Sequence, residues 1–342
     1  MRLYINKVSR TEQLKHKNMK TFNEYLEMVN KEIKAIPYPQ SPSNLYEPIA
    51  YTMALGGKRI RPVLVLMACD AVGGDVGKAV KPAVGLELFH NFTLLHDDVM
   101  DNADVRRGQP TVHRRWNDNV AILSGDTMLT MATQYIGQVE PQHLAAANEL
   151  FNATAIEVYE GQQYDMDYER RREVTVEEYI KMIRLKTSVL LGCACKLGAI
   201  IGGADEKTAQ ALYEVGENLG IAFQLEDDVL DVWGDEATFG KEIGGDIMNN
   251  KKTFLMVNAF KLANEEQAGR LRRWYTDAYA MKQEKVPAVT SIFEELGLRE
   301  IADKAIGEYT QKALTVLESI EMSDEARDSF TALAASLVNR NK

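Results

Sequence analysis

Apolar residues recur at intervals of three and four along most of this chain, and alternating β-type stretches are rare. The pattern predicts successive α-helices joined by loops, and the prolines fall mostly in those loops, where they end helices. No change of composition divides the sequence. We therefore predict an all-α protein in which residues 1–342 form a single-domain helical bundle, with 1–20 as a frayed leader.

Gly, Pro and polar clusters set the approximate bounds of the predicted helices. The first runs over 11–35, a short helix ends at Gly56-Gly57, and Pro62 lies in the first turn of the next. The long helices that follow begin near Lys81 or run over 118–138, 141–166, 175–201 and 205–233, with three or four more at the end. The segment 102–113 is predicted to be a polar loop, and the Gly-rich segment 234–250 a mobile flap.

Composition excludes several classes of protein. The net charge is −10 and no long basic stripe appears, so we expect no nucleic-acid partner. Three cysteines are too few for a disulfide framework and indicate a reducing, cytoplasmic compartment; Cys193 and Cys195 are either a thiol pair or small core residues. No segment reaches the roughly 18 apolar residues that a transmembrane helix needs. The basic residues of 1–20 either contact an anionic membrane or belong to the frayed leader.

Two apolar helices carry the same acidic pattern, with aspartates at i, i+1 and i+4: Asp97, Asp98 and Asp101, then Asp227, Asp228 and Asp231. Carboxylates one turn apart repel each other, and a hard divalent cation would offset that cost. Because 50 of the 342 residues are Asp or Glu, such a pattern can arise by chance, as in 324–328, which follows Ser323 and is typical of a helix N-terminus. The two all-Asp copies differ because carboxylates that face a core need partners.

Basic residues follow these acids at several places. Two lie at a predicted helix start, two follow the first triplet, one interrupts an apolar helix and two flank the flap: Lys58, Arg61, Arg106, Arg107, Lys186, Lys241 and Lys251. Any one of them can be a solvated surface charge. Clustered carboxylates with a divalent cation and several Arg and Lys together indicate a diphosphate site, since Mg²⁺ bridges carboxylate and phosphate oxygens and Arg grips phosphate through two hydrogen bonds.

These motifs identify a resemblance: the chain is similar to trans-isoprenyl diphosphate synthases of the polyprenyl synthetase family, of the short-chain farnesyl or geranylgeranyl type. The matching segments appear in family order over about 45 to 255, and they are 56–62, 94–108, 161–162, 186–187, 223–231 and 239–241. The resemblance implies the isoprenoid synthase fold with a central active-site cavity. It also implies a homodimer that condenses isopentenyl diphosphate with allylic diphosphates, head to tail and with the assistance of Mg²⁺.

The resemblance further implies a role for each matching residue. Three Mg²⁺ ions would be held by Asp97, Asp101 and Asp227, with Asp98, Asp228 and Asp231 as ligands or supports. The residues implied to bind the allylic substrate are Arg106, Lys186, Thr187, Gln224 and Lys241. Those implied to bind isopentenyl diphosphate are Lys58, Arg61, His90 and Arg107. Lys251 would reach the leaving diphosphate when the flap closes.

Product length should depend on where the substrate tunnel is plugged. Phe92 lies five residues before Asp97, so it is about 7.5 Å below the metals on the same helix, and Phe89 lies one turn deeper. A bulky residue at the Phe92 position resembles short-chain enzymes, whereas the lack of two extra residues in the first triplet resembles geranylgeranyl or longer synthases. We therefore expect a C15 to C20 product. The two rings can also be ordinary core aromatics.

Other functions share parts of this pattern. A medium- or long-chain polyprenyl diphosphate synthase would lack the aromatic plug. A class I terpene cyclase would share the first triplet, but would not need Lys58, Arg61 and His90 for a second diphosphate. A non-catalytic synthase subunit would be expected to lose acids from one triplet, and both are intact here. A plain helical scaffold leaves the inward aspartates unexplained.

Overall fold

The computed structural model describes residues 19–235, 243–276 and 279–338. These residues are predominantly α-helical, which confirms the predicted all-α fold, and the only sheet among them is a two-stranded hairpin. They form two compact units. The first unit contains 19–153, 193–213 and 318–329, and the second contains the remainder of the described chain. The single domain and its central cavity stay predictions.

The helices occupy most of the described chain. In the first half they are α1 (Phe22–Lys34), α2 (Ser43–Ala54), α3 (Ile60–Ala71), α4 (Val76–Met100), α5 (Val112–Arg115), α6 (Asp118–Ile136) and α7 (Leu144–Arg170), with a 3₁₀ turn at Pro141–His143. In the second half they are α8 (Val176–Ile183), a π-helical segment (Arg184–Ser188), α9 (Val189–Ile201), α10 (Glu206–Trp233), α11 (Gly245–Met248), α12 (Phe254–Leu262), α13 (Glu265–Thr276), α14 (Lys282–Glu295), α15 (Leu298–Glu318) and α16 (Asp324–Val338). The hairpin strands are β1 (Val105–Arg106) and β2 (Gln109–Pro110).

Several predicted boundaries were wrong, because local hydrogen bonds start helices where periodicity alone does not. Helix α1 begins at Phe22, where Thr21 and Glu24 form a reciprocal capping box, and the predicted start near residue 11 lies outside the described residues. Helix α4 begins at Val76 and not near Lys81, because the Asp75 carboxylate accepts a hydrogen bond from the Gly77 N–H. The predicted polar loop 102–113 contains the hairpin, and five helices, not three or four, follow the flap in the described chain.

Close backbone contacts hold the core of the first unit together. Ten of the twelve residues of α3 are buried. A Cβ atom on Gly198 of α9 would lie 2.1 Å from the Val65 carbonyl oxygen, so α9 packs directly on the α3 backbone. Cys193 and Cys195 are fully buried on the same helix, which favours core packing for both thiols. Gly85 of α4 lies equally close to α6, where its Cβ would be 2.8 Å from the Ile136 nitrogen.

In the second unit, the π-helical segment lies between two glycines. A Cβ on Gly161 of α7 would be 2.2 Å from the Lys186 nitrogen, and one on Gly220 of α10 would be 2.6 Å from the Ser188 Cα. Helices α8, α10 and α12 complete a buried apolar cluster that contains Tyr179 and Phe254. Only glycine permits these approaches, because any side chain would displace the neighbouring backbone.

Substitution of Gly198 by alanine should therefore destabilise the protein. The added methyl group collides with the backbone of α3, and overpacking of this kind costs about 1–3 kcal/mol. Thermal and urea unfolding of Gly198→Ala measure the loss. The matched control is Gly307→Ala in α15, where no atom lies within 4 Å of the added Cβ, so that helix propensity alone should raise stability by up to about 1 kcal/mol. Equal stability changes at the two positions would contradict the close packing.

Candidate active site

The first aspartate triplet lies at the C-terminal end of α4. Asp97 and Asp98 occupy its last turn, and Asp101 is the C-cap, whose N–H donates to the Asp97 carbonyl oxygen at 2.8 Å. The negative end of the helix dipole disfavours carboxylates at this position, and neighbouring charges add repulsion. The side chain of Asp98 is only 6% exposed, whereas that of Asp97 is 19% exposed and Asp101 is exposed. The arrangement therefore requires a nearby cation.

Arg106 supplies that positive charge within the first unit. Its Nε donates to both carboxylate oxygens of Asp98 at 2.8 and 2.9 Å, and its Nη2 lies 2.6 Å from Asp98 Oδ1 and 3.8 Å from Asp97 Oδ2. Burial opposes the charge of Arg106, but the ion pair with Asp98 outweighs it and raises the pKa of the guanidinium. Burial raises the pKa of Asp98. Asp98 thus holds Arg106 in place, while the more exposed Asp97 and Asp101 can reach a metal.

The hairpin sets the position of the two arginines that follow the first triplet. Val105 pairs with Pro110 and Arg106 with Gln109 in antiparallel register. The two turn residues, Arg107 (φ 53°) and Gly108 (φ 73°), both have left-handed backbones, as a tight hairpin turn of this length requires. This turn brings the Arg107 guanidinium to the Gly56 carbonyl oxygen, to which it donates a hydrogen bond. A Cβ on Gly57 would lie 2.9 Å from the Arg107 Cζ.

His90 lies in the middle of a cationic cluster of the first unit. Arg61 Nη1 is 3.2 Å from His90 Nε2, and because a guanidinium can only donate, this ring nitrogen accepts. Burial, followed by the charges of Arg61, Arg107, Arg106 and Arg59, lowers the pKa of His90 well below its usual value. The imidazole is therefore neutral near pH 7, and the first unit brings together three of the four residues predicted to bind isopentenyl diphosphate. Lys58, the fourth, is exposed two residues before α3.

The second aspartate triplet lies near the C-terminal end of α10. Asp228 is 3% exposed and accepts hydrogen bonds from the Tyr179 hydroxyl, from the Phe254 N–H at 2.9 Å and from Gln224 Nε2 at 3.3 Å. Burial, together with the charge of Asp246, raises the pKa of Asp228 to about 8. The hydrogen bonds from Tyr179 and Phe254 to Asp228 join α10 to α8 and α12.

Asp231 is also buried, at 5% exposure, and anchors residues 244–246, in the C-terminal part of the segment predicted to be the flap. Its carboxylate accepts the Asp246 N–H at 3.1 Å, and its carbonyl oxygen accepts the Gly244 N–H at 2.6 Å. Asp227 is more exposed than its two neighbours in the triplet. In both triplets, the first aspartate is thus more exposed than the second, which is fixed by protein groups.

Lys186 and Lys251 converge on one acid that the sequence analysis did not identify. Asp165 Oδ2 lies 2.6 Å from Lys186 Nζ and 3.7 Å from Lys251 Nζ. Burial works against ionisation of Asp165, but the two lysine charges outweigh it and lower the pKa of this carboxyl. The signal that could have revealed it is its place one turn after Gly161-Gln162 on α7, on the helix face that the family motif already marks.

The π-helical segment places Lys186 and Thr187 beside Gln224. Thr187 Oγ1 donates to Gln224 Oε1 at 3.2 Å, and Gln224 continues the chain of hydrogen bonds to Asp228. Single π-turns inside α-helices occur frequently at functional sites, because the extra residue changes the register of the backbone groups. Three residues predicted to bind the allylic substrate therefore belong to the second unit. Lys241 lies outside the described residues.

The predicted aromatic plug forms a contact within the first unit. The ring centroids of Phe89 and Phe92 are 5.7 Å apart, and both side chains are buried. Two further rings extend the cluster: Phe151 of α7 lies 5.2 Å from Phe89, and His96 lies 4.8 Å from Phe92. The contact of Phe89 with Phe151 was not predicted, because nothing in the sequence indicates which helix packs against α4 at that depth.

The donor chemistry of the exposed aspartates fits Mg²⁺. Carboxylate oxygens are its preferred protein ligands, and the ion usually binds through one or two of them while waters and substrate phosphates complete its shell. Within the described ranges, no group of three or more His, Cys, Asp or Glu side chains forms a metal cage by itself. Among the same residues, no helix is long and apolar enough to cross a membrane.

Comparison with known proteins points in one direction. The family model described as polyprenyl synthetase matches residues 42–294. The chain is 44% identical to geranylgeranyl diphosphate synthase of Methanosarcina mazei over 64% of this chain and 68% of that protein. It is 36% identical to short chain isoprenyl diphosphate synthase of Methanothermobacter thermautotrophicus over 94% and 98% of the two chains. A crystal structure of geranylgeranyl pyrophosphate synthase superimposes with a TM-score of 0.90 at 43% identity, covering 95% of this chain and all of that one.

Replacing Asp228 by alanine should destabilise the second unit. The change leaves the Tyr179 hydroxyl and the Phe254 N–H without their acceptor, and buried donors left unsatisfied cost about 1–3 kcal/mol each. Asp228→Asn keeps one acceptor oxygen and should retain most of the stability. Thermal unfolding compares the two variants with the control Asp104→Ala, where the carboxylate is 77% exposed and its ion pair is worth at most about 1 kcal/mol. A stable Asp228→Ala protein would contradict this role.

Proposed function

The chain belongs to the polyprenyl synthetase family, and we propose that it condenses isopentenyl diphosphate with allylic diphosphates of C5 to C15, head to tail, to give an all-trans prenyl diphosphate of C15 to C20. It is a short-chain trans-prenyltransferase, as its similarity to geranylgeranyl and short-chain isoprenyl diphosphate synthases supports. The reaction needs two diphosphates, and the two cationic clusters provide groups of the right charge for them.

The cluster around His90 supports the proposal most directly. Arg61, Arg107 and the neutral imidazole of His90 lie together in the first unit, close to the exposed Lys58. Such a concentration of positive charge is unfavourable unless an anion binds, and guanidinium groups bind phosphate through paired hydrogen bonds. We propose that this cluster binds the diphosphate of isopentenyl diphosphate. A class I terpene cyclase binds one diphosphate and would not need it.

The residues of the second unit are suited to an allylic diphosphate. Lys186 and Lys251 are held by Asp165, and both keep an ammonium group that can bind phosphate oxygens. Gln224 and Thr187 are held in one orientation by the hydrogen bonds that lead to Asp228. We propose that Asp97 and Asp101, and Asp227 in the second unit, are the aspartates that would hold Mg²⁺. The ions would neutralise the charge that develops on the departing diphosphate.

The groups of this chain act by position and charge. Arg106, fixed by Asp98, offers its remaining N–H groups to the allylic diphosphate, so that charge growing on the leaving group meets a donor that is already oriented. The isopentenyl double bond then attacks the allylic carbon, and a proton is lost. We propose that the departing diphosphate takes this proton. Buried apolar surroundings protect the carbocation from water.

The aromatic cluster supports a short product. Phe89, Phe92 and Phe151 are at most 6% exposed, and the rings of Phe92 and Phe151 both contact Phe89, so the α4 wall below Asp97 is filled. A growing chain that reaches these rings has no room unless they move. This observation favours a C15 to C20 product over the chains of C30 and more that medium- and long-chain synthases make.

We further propose a homodimer in a reducing, cytoplasmic compartment. Helix α6 exposes Ile122 at 45% and Leu123 at 59%, and apolar residues at adjacent exposed positions are typical of a protein interface. Cys69, Cys193 and Cys195 are buried thiols that form no disulfide, as a reducing environment would maintain them. Size-exclusion chromatography with light scattering would detect the dimer.

The proposed activity can be tested with purified protein, Mg²⁺, isopentenyl diphosphate and one allylic primer of C5, C10 or C15. We expect a dominant C15 or C20 product, and chelation of the metal should abolish turnover because the aspartates then repel the diphosphate. Products are sized by chromatography after dephosphorylation. A cyclic hydrocarbon formed from one primer alone would favour a terpene cyclase. Turnover that appears only with a second protein would favour a non-catalytic subunit.

Replacing Phe92 by alanine should lengthen the product by one or more five-carbon units. The smaller side chain opens space beside Phe89, and the prenyl chain can extend into it. Product length is measured with the same assay. Phe293→Ala is the matched control, because Phe293 is equally buried but belongs to the core of the second unit, so its loss should lower stability without changing length. An unchanged product from a folded Phe92→Ala protein would contradict the plug.

A further inference from the structure

We propose that the buried ion pair of Arg59 and Glu87 is a positioning device for the diphosphate of isopentenyl diphosphate. Neither residue is among those predicted to bind substrate, and neither side chain is exposed enough to touch it, at 3% each. The pair acts through the residues on either side of Arg59, namely Lys58 and Arg61. This inference rests on the proposed function, since it deepens the role of the same cationic cluster.

Arg59 makes two contacts that fix its side chain. Its Nη1 lies 2.5 Å from Glu87 Oε1, and its Nη2 donates to the Met53 carbonyl oxygen at 2.6 Å. Asn91 holds the other partner, because its Nδ2 donates to Glu87 Oε1 at 2.9 Å and to the Glu87 carbonyl oxygen at 2.8 Å. The guanidinium therefore ties the end of α2, the loop before α3 and the middle of α4 to one point.

The backbone of this loop needs such a constraint. Arg59 has φ 49° and ψ 33°, and Gly56 and Gly57 have φ 78° and 126°. A left-handed conformation is unfavourable for a residue other than glycine, so Arg59 adopts it only because its surroundings require it. The left-handed turn sets the direction in which α3 begins. It thereby sets where Lys58 and Arg61 project.

A second link joins the same two segments one turn further along α4. Arg61 Nη1 contacts His90 Nε2 at 3.2 Å, and His90 is three residues after Glu87 on the helix. Arg107 closes the loop from the other side through its bond to the Gly56 carbonyl oxygen. The residues proposed to bind isopentenyl diphosphate thus surround a loop that the buried Glu87 carboxylate holds through Arg59.

Charge explains why a carboxylate is used at this position. Arg59, Arg61, Arg106 and Arg107 all act on His90, and four guanidinium groups this close repel one another. The Glu87 carboxylate offsets part of that repulsion, and it raises the pKa of Arg107 against the burial that lowers it. A buried ion pair adds little net stability over a well-packed apolar pair, so geometry and charge balance are the better reasons for its presence.

A double variant tests whether the Arg59–Glu87 pair positions the substrate-binding residues or only stabilises the protein. Arg59→Met or Glu87→Met alone leaves a buried charge without its partner and should lower the melting temperature. Arg59→Met/Glu87→Met removes both charges at similar volume and should restore it. We expect the KM of the double variant for isopentenyl diphosphate to be at least tenfold higher than that of the wild-type protein. Its KM for the allylic primer should change less than twofold. Arg59→Lys keeps the charge and one contact, so its effect should be intermediate.

Tyr25→Phe is the control for a lost buried polar contact in the same unit. Tyr25 donates to Asp70 at 2.6 Å, away from the loop, so this variant should lose stability with both KM values unchanged. Isothermal titration of isopentenyl diphosphate measures binding without turnover. Wild-type protein that neither binds nor converts it would refute the proposed function. If the double variant binds isopentenyl diphosphate as tightly as the wild-type protein, the positioning role is refuted. It is also refuted if the double variant regains stability but its two KM values rise equally.

Discussion

Repulsion between like charges is the constraint on which the rest of the site depends. Each triplet places aspartates one turn apart near the C-terminal end of a long helix, where the dipole already disfavours negative charge. Such an arrangement persists only if other groups offset its cost. In the first unit this group is Arg106, and in the second unit it is a set of hydrogen-bond donors around Asp228. Every other feature of the two clusters follows from these compensations.

Burial and hydrogen bonding distinguish the first and second aspartates of each triplet. Asp98 and Asp228 stand at the same place in their motifs, and both are buried and bound by protein groups. The aspartates before them, Asp97 and Asp227, remain more accessible. Each motif therefore places a more accessible acid next to a buried acid that protein groups hold.

The basic side chains are also held by protein groups of opposite charge. Asp165 orients Lys186 and Lys251, and Glu87 holds Arg59 and offsets part of the positive charge around His90. Glycine makes the close packing possible, since the π-helical segment with Lys186 fits only between Gly161 and Gly220. Preorganised charges of this kind stabilise a developing anion without having to rearrange during the reaction.

How much the sequence could predict depends on the range of the interactions involved. Periodicity predicted the long helices, and both triplets and most of the basic residues were found from spacing, because these are local properties. Capping by Asp75, the hairpin at Val105–Pro110 and the π-turn depend on individual hydrogen bonds, and they shifted the predicted boundaries.

The sequence by itself determined the family, the all-α fold and the chemical nature of the site, since a motif fixes residue types and their spacing. Only the tertiary structure decided which aspartate of each triplet is buried, that Asp165 joins two lysines and that Glu87 pairs with Arg59. Asp165 and Lys186 lie 21 positions apart in the sequence, and Arg59 and Glu87 lie 28 positions apart. No local pattern encodes such a contact, because it exists only once the helices have packed and excluded water from between them.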